Sequence, residues 1–272
     1  MSEPPPFTPE PSDLPDPLEP AFEPGGFVPA DPDEPPPVEL WRVVGEVAPW
    51  GTLLLLLSWS VVFALLAARG EIGSDAAYVA RGANVGTRDA AEVASRLLSS
   101  TFLHDGPRHV FFNVLAMLVF GPAVERIFAR PSFWIVYAAG GALASLGSVA
   151  WGLTSAAGGA RVSLGASGAI FALGGALLAG AFRLRARLAP GRARALAAAI
   201  MFLALPAFAN GFQTRGTDNA AHAAGLAAGL ALGAVVPLAG PLAGRPAGWV
   251  ARGAGVLAGA ALALSLARVL RG

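Results

Sequence analysis

Residues 162–182 read VSLGASGAIFALGGALLAGAF, a stretch without a single charge, closed by Arg183. A helix rising 1.5 Å per residue needs about 20 apolar residues to cross the hydrocarbon core of a bilayer. This stretch meets that length. Further stretches near 51–68, 110–124, 132–154, 195–214, 219–240 and 248–267 read the same way, giving seven expected spans. The one at 110–124 is short between His109 and Glu125, so polar residues must enter its helix ends. The last contains Arg252, placed near an end where a long side chain can snorkel. The pattern predicts an all-α, polytopic membrane helical bundle.

Composition agrees. Of 272 residues, 54% are hydrophobic and 14% charged, against about 25% charged in soluble domains. The net charge of +1 hides an asymmetry: residues 1–40 hold ten acids, fourteen of the 23 prolines and no base. Such a segment cannot bury enough apolar surface to offset its ordering entropy. Residues 1–45 therefore read as a disordered, acidic, Pro-rich tail. Its start has no basic n-region followed closely by an apolar h-region, so it does not read as a signal peptide. All 19 basic residues are Arg and there is no Cys, which excludes disulfides, thiol catalysis and Cys-ligated zinc.

Arginine placement sets the expected orientation. Arg183, Arg185, Arg187, Arg192 and Arg194 crowd the connection between spans four and five, which marks the cytoplasmic side. Counting back puts the N-terminus in the cytoplasm and the long loop after span one outside. Within that loop, Asp89-Ala-Ala-Glu92 precedes Val93, Leu97, Leu98 and Phe102, a capped, partly amphipathic helix. It either lies in the outer interface or packs on the bundle.

With this orientation, spans two, four and six all run from outside to inside. His109 and Asn113 begin span two, Ser167 lies near the start of span four and His222 near the start of span six. All fall at one depth, on the order of 5–10 Å below the outer surface. An ionisable imidazole inside a membrane helix is expensive and marks a functional site. A serine hydroxyl becomes a useful nucleophile when a histidine takes its proton, and His222 is the candidate for Ser167. Gly165 and Gly168 beside Ser167, with Gly225 and Gly229 beyond His222, allow two backbones to approach closely. His109 and Asn113, four apart, share a helix face and suit an oxyanion hole, with the Ser167 amide as a third donor. The bland alternative makes Asn113 an interhelical packing bond and His109 an interfacial residue. Metal hydrolysis fits poorly: His104 and His109 are five apart and no His-Glu-x-x-His motif exists. Asp105 and Asp218 read as helix caps. No acid is placed to orient His222, so a Ser-His dyad is expected rather than a triad.

Over residues 90–235 the chain resembles the rhomboid family of intramembrane serine proteases. Arg96 with His104, His109-Val-Phe-Phe-Asn113, Gly121-Pro-Ala-Val-Glu125, Gly165-Ala-Ser167-Gly168 and Ala221-His222-x-x-Gly225-x-x-x-Gly229 resemble the family's motifs in order. The resemblance implies a six-helix catalytic core over 46–240 and an additional C-terminal membrane helix over 241–272. Ser167 and His222 would be catalytic, and His109, Asn113 and the Ser167 amide would hold the oxyanion. The fifth helix, near 195–214, would act as a gate eased by Pro206 and Gly211. Expected partners are transmembrane protein substrates and the lipid bilayer, with no nucleic acid, no cofactor and no metal. The expected location is a bacterial inner (cell) membrane. Ser95 stands where the family often has Trp, which bears on how the outer loop is anchored. Phe171 stands where the family often has Tyr, keeping the ring and losing the hydroxyl. A noncatalytic rhomboid-like adaptor binding transmembrane clients is the alternative function. A transporter using His222 as a proton carrier ranks lower, since no inverted hydropathy repeat is evident.

Overall fold

The computed structural model describes residues 48–154, 162–188, 191–213, 217–239, 242 and 246–272. The tail expected over 1–45 lies outside the described residues. Nine helices follow one another among those described: α1 (Trp50–Ala68), α2 (Asp75–Ala80), α3 (Ala90–Arg96), α4 (Pro107–Ile127), α5 (Arg130–Thr154), α6 (Ser167–Arg183), α7 (Arg192–Gln213), α8 (Asn219–Val235) and α9 (Trp249–Arg271). A short 3-10 turn, Ser99–Phe102, lies between α3 and α4. Helices α1, α4, α5 and α9 are long and apolar enough to cross a membrane. The other expected spans are shorter in their apolar part: α6 and α8 have 17 residues each, about 25 Å of rise. Large apolar side chains such as Leu54, Leu57, Phe202 and Leu257 are exposed on the helix surfaces. That is the expected outer face of an integral membrane bundle, where lipid rather than water is the solvent.

Helix α6 begins at Ser167, not at 162 as its hydropathy suggested. Residues 162–166 lie outside the helix instead. Ser163 pairs with Asn84 in an antiparallel bridge, each donating its N–H to the other's carbonyl at 2.9 Å. Gly165 then adopts φ +121°, a conformation no helix continues through and other residues rarely adopt. Hydropathy cannot register either feature, because both lie in backbone geometry.

Hydrophobic burial gives little drive between helices when the solvent is itself hydrocarbon, so close van der Waals contact must hold the bundle. The tightest contact joins α6 and α8. A Cβ on Gly225 would run into the carbonyl of Gly168, and one on Gly229 into the carbonyl of Ala172. One on Gly233 would stand 2.6 Å from the Cα of Ala176. Helix α5 seats against both: Gly141 lies on Ala169 and Gly147 on Ala224. Helix α4 also packs on α6, burying Met117, Phe120 and Val124.

Charged groups inside the bundle sit where helix ends need them. Glu125, 6% exposed, accepts from the N–H groups of Gly51 (3.0 Å) and Thr52 (2.7 Å) and from Thr52 Oγ1 (2.7 Å). It thereby supplies the α1 N-terminus with the anionic cap that Pro49 cannot give. Gly121 makes room for this, since a Cβ there would collide with Thr52. Arg183 donates to the carbonyls of Gly233 (2.8 Å) and Val236 (2.7 Å), closing the C-terminus of α8. The long α1–α4 connection is tied down at several points. Arg96 donates to Val79 and Ala83 carbonyls, both at 2.7 Å. Arg81, paired with Glu71, donates to the Val269 carbonyl at 2.8 Å, and Arg268 donates to the Ser95 carbonyl at 2.9 Å. The anchoring thrown into question by Ser95 thus comes from the end of α9.

If backbone contact between α6 and α8 sets the packing, the smallest possible side chain should disturb it. Gly229→Ala is expected to lose on the order of 1–3 kcal/mol through overpacking, read as a lower Tm in detergent. Gly259→Ala on α9, whose Cβ meets open space, should leave Tm unchanged or raised.

Candidate functional site

Three helix starts converge at one end of the bundle. Ser167 is the first residue of α6, and His222 lies in the first turn of α8. Their side chains meet, with His222 Nε2 2.8 Å from Ser167 Oγ. His222 is 4% exposed, whereas Ser167 is half-buried. Phe171, one turn along α6 from Ser167, stacks on the imidazole with ring centroids 4.3 Å apart and planes inclined by 13°. The ring that replaces the expected tyrosine therefore still fixes the imidazole plane. His222 Nδ1 is buried and has no hydrogen-bond partner among the described residues.

His109 arrives from the first turn of α4. Its imidazole lies against Gly165, where a Cβ would stand 2.7 Å from His109 Nε2. Asn113 is 4% exposed and donates its amide to the His109 carbonyl at 3.0 Å. In this arrangement it bonds its own helix rather than a neighbour. The Ser167 N–H, at the first position of α6, has no intrahelical acceptor. Gly168 allows the close approach of α5, since a Cβ there would stand 2.7 Å from the Cβ of Ala144.

Asp105 does not cap α4, contrary to the sequence reading: the N-cap residue is Gly106, with no side-chain cap bond. Asp105 instead bonds His109 Nδ1 at 2.8 Å. That bond holds the Asp105 carboxyl below the usual carboxylate range. Asp218 does cap α8, accepting from the Ala221 N–H at 3.0 Å. It also accepts from Ser163 Oγ at 2.7 Å and from Ser148 Oγ. A small cavity of about 20 Å³, room for about one water, lies beside Ser167 and is lined by Asn84, Ser100, Ser145, Ser163 and Asp218. Asn84, Ser100, Ser145 and Ser163 escaped the sequence reading because they belong to no spacing pattern, and Asp218 was read only as a cap; the five come together only through the fold.

His104 is set back from the serine. It is 1% exposed, its ring tilted against Trp59 (5.5 Å) and edge-on to His109 (5.2 Å). Arg96 and Glu125 lie apart from the serine, holding the α1–α4 connection and the α1 N-terminus respectively.

A histidine nitrogen within bonding distance of a serine hydroxyl can accept its proton as the oxygen attacks an electrophile. The sequence carrying this geometry matches a model of the rhomboid domain over residues 91–239, more than half of the chain. The chain belongs to the rhomboid family. It is 32% identical over 178 residues to rhomboid protease GluP of Bacillus subtilis (strain 168), covering 65% of this chain and 33% of that protein. It is 36% identical over 83 residues to YdcA of the same organism, also named for the rhomboid family, covering 30% of this chain and 39% of that protein. The chain thus spans well under half the length of these relatives. The rhomboid match runs from before Arg96 to beyond Gly229 and so takes in Ser167, His222, Phe171, His109, Asn113 and Asp218.

Burial pushes the His104 imidazole down to about 3, with His109 adding to the effect. In the unfolded chain the same group titrates near 6.5. Between these values the unfolded state binds the extra proton. The stabilisation is therefore complete above pH 6.5 and is lost progressively as pH falls toward 3. Tm in detergent should drop across that window. His104→Phe, which keeps a ring between Trp59 and His109, should drop less; an unchanged acid slope in that variant would count against a buried neutral imidazole.

Proposed function

We propose that this chain is an intramembrane serine endopeptidase that cleaves transmembrane segments of single-pass membrane proteins. The observation that carries this reading is the 2.8 Å contact between Ser167 Oγ and His222 Nε2. In the proposed reaction His222 Nε2 takes the hydroxyl proton as Ser167 Oγ attacks the scissile carbonyl carbon. The carbonyl oxygen becomes an oxyanion. The Ser167 N–H, at the positive end of α6, is one donor, and His109 is a second in its imidazolium form, with Nδ1–H held by the Asp105 carboxylate and Nε2–H beside Gly165. Asn113 would join them by turning its amide away from the His109 carbonyl. Collapse of the intermediate breaks the C–N bond, and His222 returns the proton to the departing amine. A water then attacks the acyl ester, with His222 again taking the proton, and Ser167 is released. The reaction needs no metal or cofactor. With His222 Nδ1 unpartnered among the described residues, the pair works in this reading as a dyad.

We assign residues 46–240 to the catalytic core and 241–272 to an additional membrane helix. The arginine-rich stretch Arg183–Arg194 supports a cytoplasmic N-terminus, with the site opening toward the opposite side of a bacterial cell membrane. Helix α7, which carries Pro206 within it, is the proposed entry gate.

Purified protein in proteoliposomes should cleave a single-pass reporter. Ser167→Ala and His222→Ala should each reduce the rate by about 10³-fold or more, since a dyad loses its function as a unit. A serine-directed fluorophosphonate should label the wild type and not Ser167→Ala. Wild-type cleavage by either variant overturns the reading.

A further inference from the structure

We infer that Asp218 is a positioning residue for the proposed reaction, acting through Ser163 to hold Ser167 in register with His222. The inference rests on the Ser167–His222 reading above. Helix α6 starts at Ser167, and its N-cap residue, Ala166, offers no side-chain cap. No helical turn precedes the serine to fix it. Its position at this end depends on the non-helical segment 162–166. That segment is held on one side by the Asn84–Ser163 bridge and by the Gly165 N–H donating to the Ser100 carbonyl at 2.9 Å. Its tie to the histidine-bearing helix is Ser163 Oγ donating to Asp218 Oδ2 at 2.7 Å.

Asp218 is suited to this task by where its atoms go. Oδ1 accepts from the Ala221 N–H at 3.0 Å, locking the carboxylate to the first turn of α8. Its carbonyl accepts from the His222 N–H at 3.1 Å, so the imidazole follows directly from the same backbone turn. Oδ2 accepts from Ser163 and from Ser148 of α5. One carboxylate therefore joins three parts: the helix carrying His222, the segment leading into Ser167, and the helix packed behind both. Bonds to an ionised acceptor are shorter and stronger than neutral ones, which favours a fixed geometry over a fluctuating one. The glycine contacts between α6 and α8 fix the helices along their length. The Asp218 bonds fix the end where a displacement of about 1 Å is enough to lower a rate by orders of magnitude.

The test uses the full chain in proteoliposomes with a transmembrane reporter, measuring kcat, KM, the rate of fluorophosphonate labelling of Ser167, and Tm. Ser163→Ala cuts the link to the serine while leaving the α8 cap intact. It should lower kcat and the labelling rate together by about tenfold or more, with KM within about twofold and Tm close to wild type. Asp218→Ala should show the same split with a lower Tm. The double variant should be no slower than Asp218→Ala alone, because the two groups act through one bond. Asp218→Asn, which retains an acceptor oxygen, should recover most of the kcat. Wild-type kcat and labelling in Ser163→Ala, or a loss in Asp218→Ala that appears in Tm and KM but not in kcat, overturns the inference. Cleavage by Ser167→Ala overturns the dyad reading and this inference with it. An inactive Ser167→Ala beside a fully active Ser163→Ala overturns this inference alone.

Discussion

Everything at the site depends on how closely α6 and α8 approach. Gly225 faces the Gly168 carbonyl and Gly229 faces the Ala172 carbonyl, with no space for a methyl group at either point. In a lipid solvent this contact cannot rest on expulsion of water. It rests on dispersion between atoms brought as near as the backbones allow. Gly168 directly follows Ser167, and Gly225 lies three residues past His222, so the contact sits immediately beneath the serine–histidine pair. A methyl group in this interface would separate the helices by an ångström or more. A hydrogen bond of 2.8 Å would then stretch beyond the range in which it is a hydrogen bond. Phe171 completes the arrangement, because a stacked ring at 4.3 Å restricts rotation of the imidazole that the glycines bring near.

The same economy governs the ionised groups. Glu125 sits at the N-terminus of α1 and Arg183 at the C-terminus of α8, each with the sign that the helix end calls for. A buried charge is tolerated when it satisfies several backbone groups at once. Glu125 does this with two N–H groups and a hydroxyl. Buried Arg96 does the equivalent in the α1–α4 connection, donating to the carbonyls of Val79 and Ala83, while Arg81 and the exposed Arg268 tie the connection to α9 through the Val269 and Ser95 carbonyls. This connection is therefore an ordered part of the scaffold, fastened at one side to the last turns of α9.

The sequence made much of this legible because hydropathy and glycine spacing are local signals. The membrane-helix stretches, the Gly225–Gly229 pair and the presence of Ser167 and His222 near the starts of parallel helices could all be read from single segments. What could not be read lay in contacts between distant segments. The start of α6 was misplaced by five residues because the Asn84–Ser163 bridge and the φ of Gly165 leave no mark on hydropathy. Asp105 and Asp218 looked alike as acids before helices. One turned toward His109 and the other capped its helix while also reaching across to Ser148 and Ser163. The choice between those fates was made by which hydroxyl or imidazole another helix delivered. Asn113 likewise has the right spacing from His109 to share a face with it, but spacing does not say that its amide turns back to the His109 carbonyl.

The site is consequently built in two halves of different stiffness. Ser167, His222 and Phe171 belong to helices locked by backbone contact, and His222 is 4% exposed. His109 and Asp105 form the other half, on a loop and the first turn of α4, with side chains 28% and 56% exposed. The His109–Asp105 bond leaves Nε2 as the imidazole nitrogen free to face the serine side, next to Gly165. Asn113 is held by one bond to its own helix, which a modest side-chain rotation exchanges for another acceptor. In the proposed reaction, proton transfer between Ser167 and His222 tolerates little positional error. Stabilising an oxyanion that exists only while substrate is bound asks instead for donors that close on it as it forms. Rigid packing lies on the side where the proposed proton transfer needs a preset distance, and the more exposed His109–Asp105 bond lies on the side of the proposed oxyanion donors.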